Sequence, residues 1–204
     1  LATYADFSSN NPCLATRDWV LQDRVTDVRD QGSCGDCWAE SATVVLESAH
    51  YQQNGKLEQL SVEQAAECPN PENGVGCEGG WPIDVFKYVK NVSSGLCTEK
   101  DYPTIIGNGN NQQCNTTLVS NCTKKIHINQ IMSIPTANED MLLLAAQKDV
   151  VSVAIDASGQ GFSSYAGGIY NGEFNGGPDC DPTSLDHAVN VVGYGTDMST
   201  FTPF

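Results

Sequence analysis

The chain has 204 residues, 40% of them hydrophobic, which is enough for a packed core and argues against a disordered chain. It carries 25 acidic and 10 basic residues, a formal net charge of −15. Nucleic acid and anionic membrane surfaces are therefore unfavourable partners, because binding phosphate requires clustered cations. The longest unbroken apolar stretch, Met141 to Ala146, is far below the ~20 residues that cross a bilayer.

Cysteine content is the most informative part of the composition. Nine cysteines occur together with three N-glycosylation sequons, whose acceptors are Asn91, Asn115 and Asn121. This combination suggests the secretory pathway and oxidised disulfides. Because nine is odd, one cysteine is a free thiol or has a partner outside this chain.

The first half of the chain carries helical patterns. After Ser33, apolar residues recur on one helical face until Asn54-Gly55 ends the pattern. The stretch Ser61 to Gln64 has the form of a capping box and predicts a short second helix that ends near Cys68. Pro82 suits the first turn of a third helix.

The pattern changes in the second half. Residues 95–121 are rich in Gly, Asn, Gln and Thr and predict an irregular surface held by disulfides. The isoleucines of residues 126–131 favour strand, and Asn138 is expected to cap a helix that runs through Lys148. The β-branched runs Val150–Ile155 and Ala188–Val192 predict further strands. Helices first and strands later indicate an α+β fold with the two classes segregated.

The segment Gln31 to Ala39 places Cys34 and Cys37 at the start of the first predicted helix. A redox CxxC pair normally lies in a βαβ setting, which is not evident here. A zinc site would need further paired ligands, and the three histidines are scattered, so we expect no metal and no cofactor. In a third interpretation Cys34 forms a structural disulfide and Cys37 is a nucleophile whose pKa is lowered by the helix dipole.

A nucleophilic cysteine needs a histidine base, and the chain offers three candidates. His50 lies at the far end of the first helix, where a cation would complement the helix dipole. His127 lies in a polar lead-in to a strand. His187 lies directly before an apolar strand, where a structural role is the usual one. Considered alone, none of the three is identified as catalytic.

The segment Gln31 to Ser41 resembles the active-site signature of papain-like cysteine peptidases, in which a histidine follows the nucleophile by about 130–150 residues. His187 follows Cys37 by 150 positions. The chain is therefore identified as a member of this family, of the cathepsin L type. Further similar segments occur in the family's order between about Asp18 and Gly195, namely Gly76–Gly80, Glu99–Pro103, Val151–Ala157, Gly167–Tyr170 and Asp186–Val189.

This resemblance implies a papain-like α+β fold. A helical left domain would pack against an antiparallel β-barrel right domain, with an active-site cleft between them. The peptidase domain would span residues 14–204, with a helical half at about 23–122 and a β-barrel half at about 123–204 that is joined by an N-terminal strand at 14–22. Residues 1–13 would be an N-terminal arm or a propeptide remnant.

The resemblance also implies the roles of individual residues. Cys37 would be the thiolate nucleophile, His187 its imidazolium partner, and Gln31 a donor to the oxyanion. We expect endopeptidase action, because the pair of histidines that makes cathepsin B a dipeptidase is not seen between Cys77 and Tyr102. The residues that would bind substrate are Gly79, Gly80, Trp81, Pro82, Ala154, Asp186 and Ala188.

The disulfides follow from the same resemblance. Cys34 would pair with Cys77, and Cys68 with Cys114, while Cys37 would stay free. This leaves four further cysteines to be accounted for.

Of these four, Cys122 could pair with either Cys13 or Cys97. In the family a cysteine at the position of Cys180 bonds to one near the C-terminus. The Asn-Ser-Trp-Gly segment that orients the catalytic histidine in the family does not follow Gly195 here. We therefore expect a C-terminal light chain or missing segment bonded through Cys180, with a natural truncation as the alternative.

Two residues depart from the family pattern. Asp36 replaces the usual small residue beside the nucleophile, where a carboxylate would raise the thiol pKa, and we expect it to be solvated. Glu40 replaces the usual phenylalanine, and if buried it must be paired or protonated. A catalytically silent, secreted papain-fold binding or structural protein is therefore the alternative function.

The expected partners are polypeptide substrates and an inhibitory propeptide or cystatin-like inhibitors. The expected location is a lysosomal or vacuolar compartment or the extracellular space.

Overall fold

The computed structural model describes residues 16–69, 76–91, 95–105 and 113–204, together with the backbone of a short strand at residues 2–3. Among the described residues, three α-helices lie in the first half of the chain and three in the second. They are α1 (Cys37–Asn54), α2 (Val62–Glu67), α3 (Pro82–Asn91), α4 (Thr116–Asn121), α5 (Glu139–Ala146) and α6 (Gln160–Ser163).

In the described part of the chain, twelve short strands accompany these helices, and most of them lie in the second half. They are β1 (Ala2–Thr3), β2 (Arg17–Asp18), β3 (Leu96–Cys97), β4 (Lys125–Ile126), β5 (Met132–Ser133), β6 (Val151–Ile155), β7 (Glu173–Phe174), β8 (Gly177–Pro178), β9 (His187–Val191), β10 (Gly193–Tyr194), β11 (Thr196–Asp197) and β12 (Thr202–Pro203).

Helix α1 forms the centre of the first half. Its apolar face buries Trp38, Ala42 and Leu46 in a core shared with α2 and α3, as the helical spacing predicts. Gly55 ends the helix in a left-handed conformation, with its N–H donating to the carbonyl of Tyr51.

Helix α2 uses only half of the predicted capping box. The Gln64 N–H donates to the Ser61 hydroxyl over 3.0 Å, so the predicted N-cap is confirmed. The Gln64 side chain, however, accepts from the Cys97 N–H at 2.7 Å and donates to the Gly95 carbonyl at 2.9 Å. Since Gln64 is fully buried, its amide satisfies these backbone groups and ties α2 to β3.

The region from Gly95 to Asn121 is more regular than its composition predicts. It contains β3 and the six-residue helix α4, while residues 106–112 lie outside the described part. Asn115 is the reason for the helix, because its side chain accepts from the Leu118 N–H at 3.0 Å and caps the first turn. The expectation of irregular structure was therefore wrong for α4.

The second half is built on the antiparallel pair of β6 and β9. Its register runs from Val151 opposite Val191 to Ile155 opposite His187. The other described strands also form two-stranded ladders, and β2 joins the second half by pairing with β10. Helix α1 packs against both β6 and β9. Within the described ranges, no helix combines the length and apolarity needed to span a bilayer.

Candidate active site

Cys37 is the first residue of α1 and carries a free, half-buried thiol. The positive end of the helix dipole therefore lies at this sulfur. The preceding loop is clamped by the Cys34–Cys77 disulfide and by a hydrogen bond from the Gly35 N–H to the Cys77 carbonyl at 3.0 Å. A Cβ at Gly35 would lie 2.4 Å from that carbonyl oxygen, so this close approach requires glycine.

His187 begins β9, opposite the last residue of β6. The turn before it is held by Asp186, whose carboxylate accepts from the Ala157 N–H at 2.7 Å. The Asp186 N–H in turn donates to the Ile155 carbonyl at 3.0 Å. Among the described residues, none forms a hydrogen bond with the imidazole of His187.

A small polar cluster joins the helix that carries Cys37 to the strand that carries His187. The Ser41 hydroxyl lies one turn along α1 from the thiol and donates to the Val189 carbonyl at 3.0 Å. It also lies 2.6 Å from the hydroxyl of Ser152 in β6. Sequence reasoning missed this cluster, because serines separated by more than a hundred positions carry no signal of proximity.

The side-chain amide of Gln31 donates to the Cys34 carbonyl at 2.6 Å. This bond holds the amide against the loop that precedes Cys37. Since an amide nitrogen carries two hydrogens, one donor remains for another acceptor.

One cleft of about 350 Å³ brings these groups together. Cys37, His187 and Gln31 all line it, whereas His50 and His127 do not. Burial lowers the pKa of His50, so the cation expected at the end of α1 is disfavoured. The remaining lining includes every residue that the resemblance assigns to substrate binding, namely Gly79, Gly80, Trp81, Pro82, Ala154, Asp186 and Ala188.

Asp36 is buried, and the expectation that it is solvated was wrong. The residue is only 1% exposed and directly precedes α1, which packs against α2. One carboxylate oxygen has no hydrogen-bond partner in the described part of the chain. Burial raises the pKa of Asp36 to about 6, and the nearby carboxylate of Glu63 acts in the same direction.

Glu40 has a partner that sequence reasoning missed. The Arg29 guanidinium lies 3.3 Å from the Glu40 carboxylate and also pairs with Glu47, a fully buried residue of the same helix. The Thr26 hydroxyl donates to the second Glu47 oxygen at 2.6 Å. Burial raises the pKa of Glu40 to about 7, against the opposing effect of Arg29. The only sequence signal was a basic residue two positions before Gln31.

The structure joins Cys34 to Cys77 and Cys68 to Cys114, the two pairs that the resemblance implies. It also answers the question left open for Cys122.

Cys122 pairs with Cys97, while Cys13 lies outside the described residues. Cys180 is a free, exposed thiol whose sulfur lies 3.5 Å from the Tyr170 hydroxyl.

The three sequon asparagines, Asn91, Asn115 and Asn121, are all exposed on the surface. Their position is compatible with glycan attachment, since a glycan needs solvent around its acceptor.

Comparison with known proteins agrees with this geometry. Residues 14–202 match the family described as papain family cysteine protease. Over 183 residues the chain is 39% identical to cathepsin L of Sarcophaga peregrina, a match that covers 89% of this chain and 50% of that protein.

Solved structures show the same relationship. The Carica candamarcensis cysteine protease CMS1MS2, solved in complex with E-64, matches with a TM-score of 0.77 and 33% identity, covering 89% of this chain and 78% of that one. The proform of Amb a 11, a ragweed pollen allergen, matches with a TM-score of 0.80 and 30% identity, covering 96% of this chain and 55% of that one.

This chain therefore belongs to the papain family of cysteine proteases, with relatives of the cathepsin L type. The chain spans about half the length of the curated relatives it matches. Its fold is the α+β arrangement of that family, with α1 on one side of the cleft and the β6–β9 pair on the other.

Proposed function

We propose that this protein is a cysteine endopeptidase that hydrolyses peptide bonds through Cys37 and His187. The observation that carries the proposal is that a free thiol at the start of α1 and an imidazole at the start of β9 line one cleft. A cysteine at a helix N-terminus with a histidine in reach is the arrangement that nucleophilic catalysis requires.

In this mechanism the Cys37 thiolate attacks the carbonyl carbon of the scissile bond and forms a C–S bond. The imidazolium of His187 gives its proton to the leaving amine as the C–N bond breaks, leaving a thioester. Water then attacks the thioester while His187 takes up a proton, and the product acid and the thiolate are released.

The oxyanion formed in each attack would accept hydrogen bonds from the remaining Gln31 N–H and from the backbone N–H of Cys37. One such donor contributes roughly 2.7–4 kcal/mol to transition-state stabilisation in comparable sites. The contact between Gln31 and the Cys34 carbonyl supports this role, because it holds the donor beside the nucleophile's own loop.

Substrate would lie extended along the glycines at positions 79 and 80. A Cβ at Gly80 would lie 2.6 Å from the indole ring of the buried Trp38, so the close packing of this loop on the core requires glycine. The peptide would pair with the backbone of the two glycines. Trp81 and Pro82 on one wall, with Ala154 and Ala188 on the other, would form the pocket for the second residue before the cut.

Labelling of Cys37 tests the proposal. The protein is incubated with E-64 or iodoacetamide, and the modified residue is found by peptide mapping. We expect labelling at Cys37 and loss of peptidase activity in proportion to it, whereas Cys37→Ala should form no E-64 adduct and show no activity. The matched control is Ser120→Ala, at an exposed position on α4, which should keep both. A Cys37 that stays unlabelled in a preparation silent on all peptides would instead favour the binding or structural protein.

We further propose endopeptidase action, since none of the described residues closes either end of the cleft with paired histidines. Mass spectrometry of a digested test peptide should show internal cuts. Strict release of C-terminal dipeptides would contradict this assignment.

The proposed partners are polypeptide substrates, an inhibitory propeptide or a cystatin-like inhibitor, and a C-terminal light chain or segment bonded through Cys180. The exposed, free thiol of Cys180 supports the last of these. Intact mass before and after reduction would reveal a bonded piece and would count glycans at Asn91, Asn115 and Asn121. The proposed location is a lysosomal or vacuolar compartment or the extracellular space.

A further inference from the structure

The sequon at Asn121 shares its middle residue with a disulfide. It consists of Asn121, Cys122 and Thr123, and the structure joins Cys122 to Cys97. The sequon that starts at Asn115 contains no cysteine. These two acceptor asparagines lie at opposite ends of α4, and both are exposed. Only the acceptor at the C-terminal end of the helix is therefore coupled to a thiol.

The hydroxyl of Thr123 already has an acceptor in the folded protein. It donates to one carboxylate oxygen of Asp101 at 2.7 Å, and the Thr123 N–H donates to the same oxygen at 2.8 Å. The bond from the hydroxyl, aided by backbone N–H groups, lowers the pKa of Asp101, so this carboxylate keeps accepting at neutral pH. A hydroxyl two residues after the acceptor asparagine is part of what defines a sequon. In the native fold this part of the sequon is therefore occupied, although Thr123 lies at the surface.

The disulfide holds the sequon in this occupied state. Cys97 is fully buried in β3, and β3 pairs with β4, which places Cys97 opposite Lys125. Thr123 lies between Cys122 and β4, so its backbone is fixed on one side by the disulfide and on the other by the ladder. While both cysteines are thiols, β4 and Thr123 can separate from β3 and Asp101 without breaking a covalent bond.

We infer that Asn121 accepts a glycan only while Cys97 and Cys122 are still thiols, so that disulfide formation closes this modification site. The glycan itself is compatible with the finished fold, because Asn121 is exposed. The inference rests on the secretory route of the proposed function and is independent of the peptidase activity.

Two covalent reactions compete at this site. In the first, the side-chain nitrogen of Asn121 bonds to the anomeric carbon of an oligosaccharide carried on a lipid pyrophosphate. The C–O bond to the pyrophosphate breaks, the lipid pyrophosphate leaves, and the amide nitrogen gives one proton to solvent. In the second, the thiols of Cys97 and Cys122 give two electrons and two protons to the disulfide of an oxidising protein, which becomes a dithiol.

The rates of chain growth and oxidation predict incomplete modification at Asn121. Cys97 precedes Cys122 by 25 positions, so at about 5–20 residues per second it leads the sequon by roughly 1–5 s. Disulfides form in seconds to hours, which overlaps with this interval and with the time that follows it. We therefore expect two populations of the protein, with and without a glycan at Asn121.

Asn115 provides an internal reference for the same molecules. Its side-chain oxygen accepts from the Leu118 N–H at 3.0 Å, whereas a glycan is attached to the side-chain nitrogen. The helix cap therefore persists after modification. Since its sequon has no cysteine, we expect Asn115 to be occupied more fully than Asn121.

The experiment measures glycan occupancy by peptide mapping after expression of the full chain behind a secretory leader in insect cells. Cys97→Ser leaves the sequon unchanged and should raise the occupancy of Asn121 towards that of Asn115. Cys122→Ala also keeps an Asn-x-Thr sequon and should have the same effect, which controls for mispairing of Cys122 in the first variant. The control is the double variant Cys34→Ser with Cys77→Ser, which removes a different disulfide and should leave the occupancy of Asn121 as it was.

Dithiothreitol added during synthesis provides a second readout in the unaltered protein. It should raise the occupancy of Asn121 there and have no effect in Cys97→Ser. Equal occupancy of Asn121 in the unaltered protein and in both single variants, whether complete or nil, would overturn the inference while an occupied Asn115 keeps the secretory route. A chain without glycans at either position in every variant would overturn both, and the peptidase assignment is tested separately by labelling of Cys37.

Discussion

The side-chain amide of Asn190 donates to the backbone carbonyl of Ser41 at 2.9 Å, across the boundary between α1 and β9. Together with the bond from the Ser41 hydroxyl to the Val189 carbonyl, it fixes the strand relative to the helix. Since Cys37 starts that helix and His187 starts that strand, these contacts set the separation of the candidate catalytic pair.

Removing the Ser41 hydroxyl should therefore weaken both the fold and the site. Ser41→Ala leaves polar groups of β6 and β9 without a partner, and we expect the free energy of unfolding to fall by about 1–3 kcal/mol. The alkylation rate of Cys37 should fall as well. Denaturant titration and iodoacetamide kinetics measure the two effects. Ser120→Ala, in the exposed part of α4, is the control and should change neither.

Among the basic residues, substitution of Arg29 should destabilise the protein most, because Arg29 neutralises both Glu40 and Glu47 in a largely buried position. Arg29→Gln leaves two carboxylates without a cation, and we expect a loss of about 3–5 kcal/mol in the free energy of unfolding. Lys87→Gln, which breaks the exposed pair with Asp84, should cost less than about 1 kcal/mol. Comparable losses in the two variants, measured by urea unfolding, would argue against a structural role for the network.

Asp36 should make stability fall as the pH rises. Its pKa is raised to about 6 in the folded protein, so the folded state holds the proton more tightly than the unfolded state does. The loss in free energy of unfolding that ionised Asp36 causes is absent below about pH 4. It grows between about pH 4 and pH 6 and reaches its full size above pH 6. Since one pKa unit corresponds to about 1.4 kcal/mol, it reaches about 3 kcal/mol at most.

The matching experiment is urea unfolding of the unaltered protein and of Asp36→Asn between pH 4 and pH 7. The stability of the variant relative to the unaltered protein should rise across this range. Glu139→Gln, at an exposed site on α5, serves as the reference and should show no such trend. If the free energies of unfolding of Asp36→Asn and the unaltered protein differ by the same amount at every pH, the buried carboxylate of Asp36 does not cause the pH dependence.

The two disulfides Cys34–Cys77 and Cys97–Cys122 should differ in their effect on the site. Replacing either pair with alanines should cost about 2–5 kcal/mol of stability. Only loss of Cys34–Cys77 should also slow the labelling of Cys37 by E-64, because only that bridge adjoins the cleft. Equal labelling rates in the two double variants would show that the bridge does not position the nucleophile.

Local chemistry explains which features could be predicted from the sequence. The N-cap at Ser61 and the cap at Asn138 are confirmed, because each depends on a residue and its neighbour three positions on. The candidate active-site segment could likewise be proposed from a compact motif and one spacing. Such local signals can be interpreted without knowledge of the rest of the fold.

The features that were missed depend on contacts between distant segments. The burial of Asp36 follows from the packing of α1 on α2, and the partner of Glu40 lies in a loop before the helix. Gln64 was assigned to a cap because its spacing fits one, yet the backbone of β3 competes for its amide. Composition could not reveal α4 either, since a single asparagine cap outweighs the Gly- and Asn-rich context.

The distance along the chain between Cys37 and His187 also affects when the site can form during biosynthesis. A ribosome adding about 5–20 residues per second needs roughly 8–30 s to reach His187 after Cys37. Throughout that interval the nascent helical half carries the thiol of Cys37 without the histidine that the proposed mechanism pairs with it. The proposed peptidase activity would therefore arise only after β9 has packed against α1.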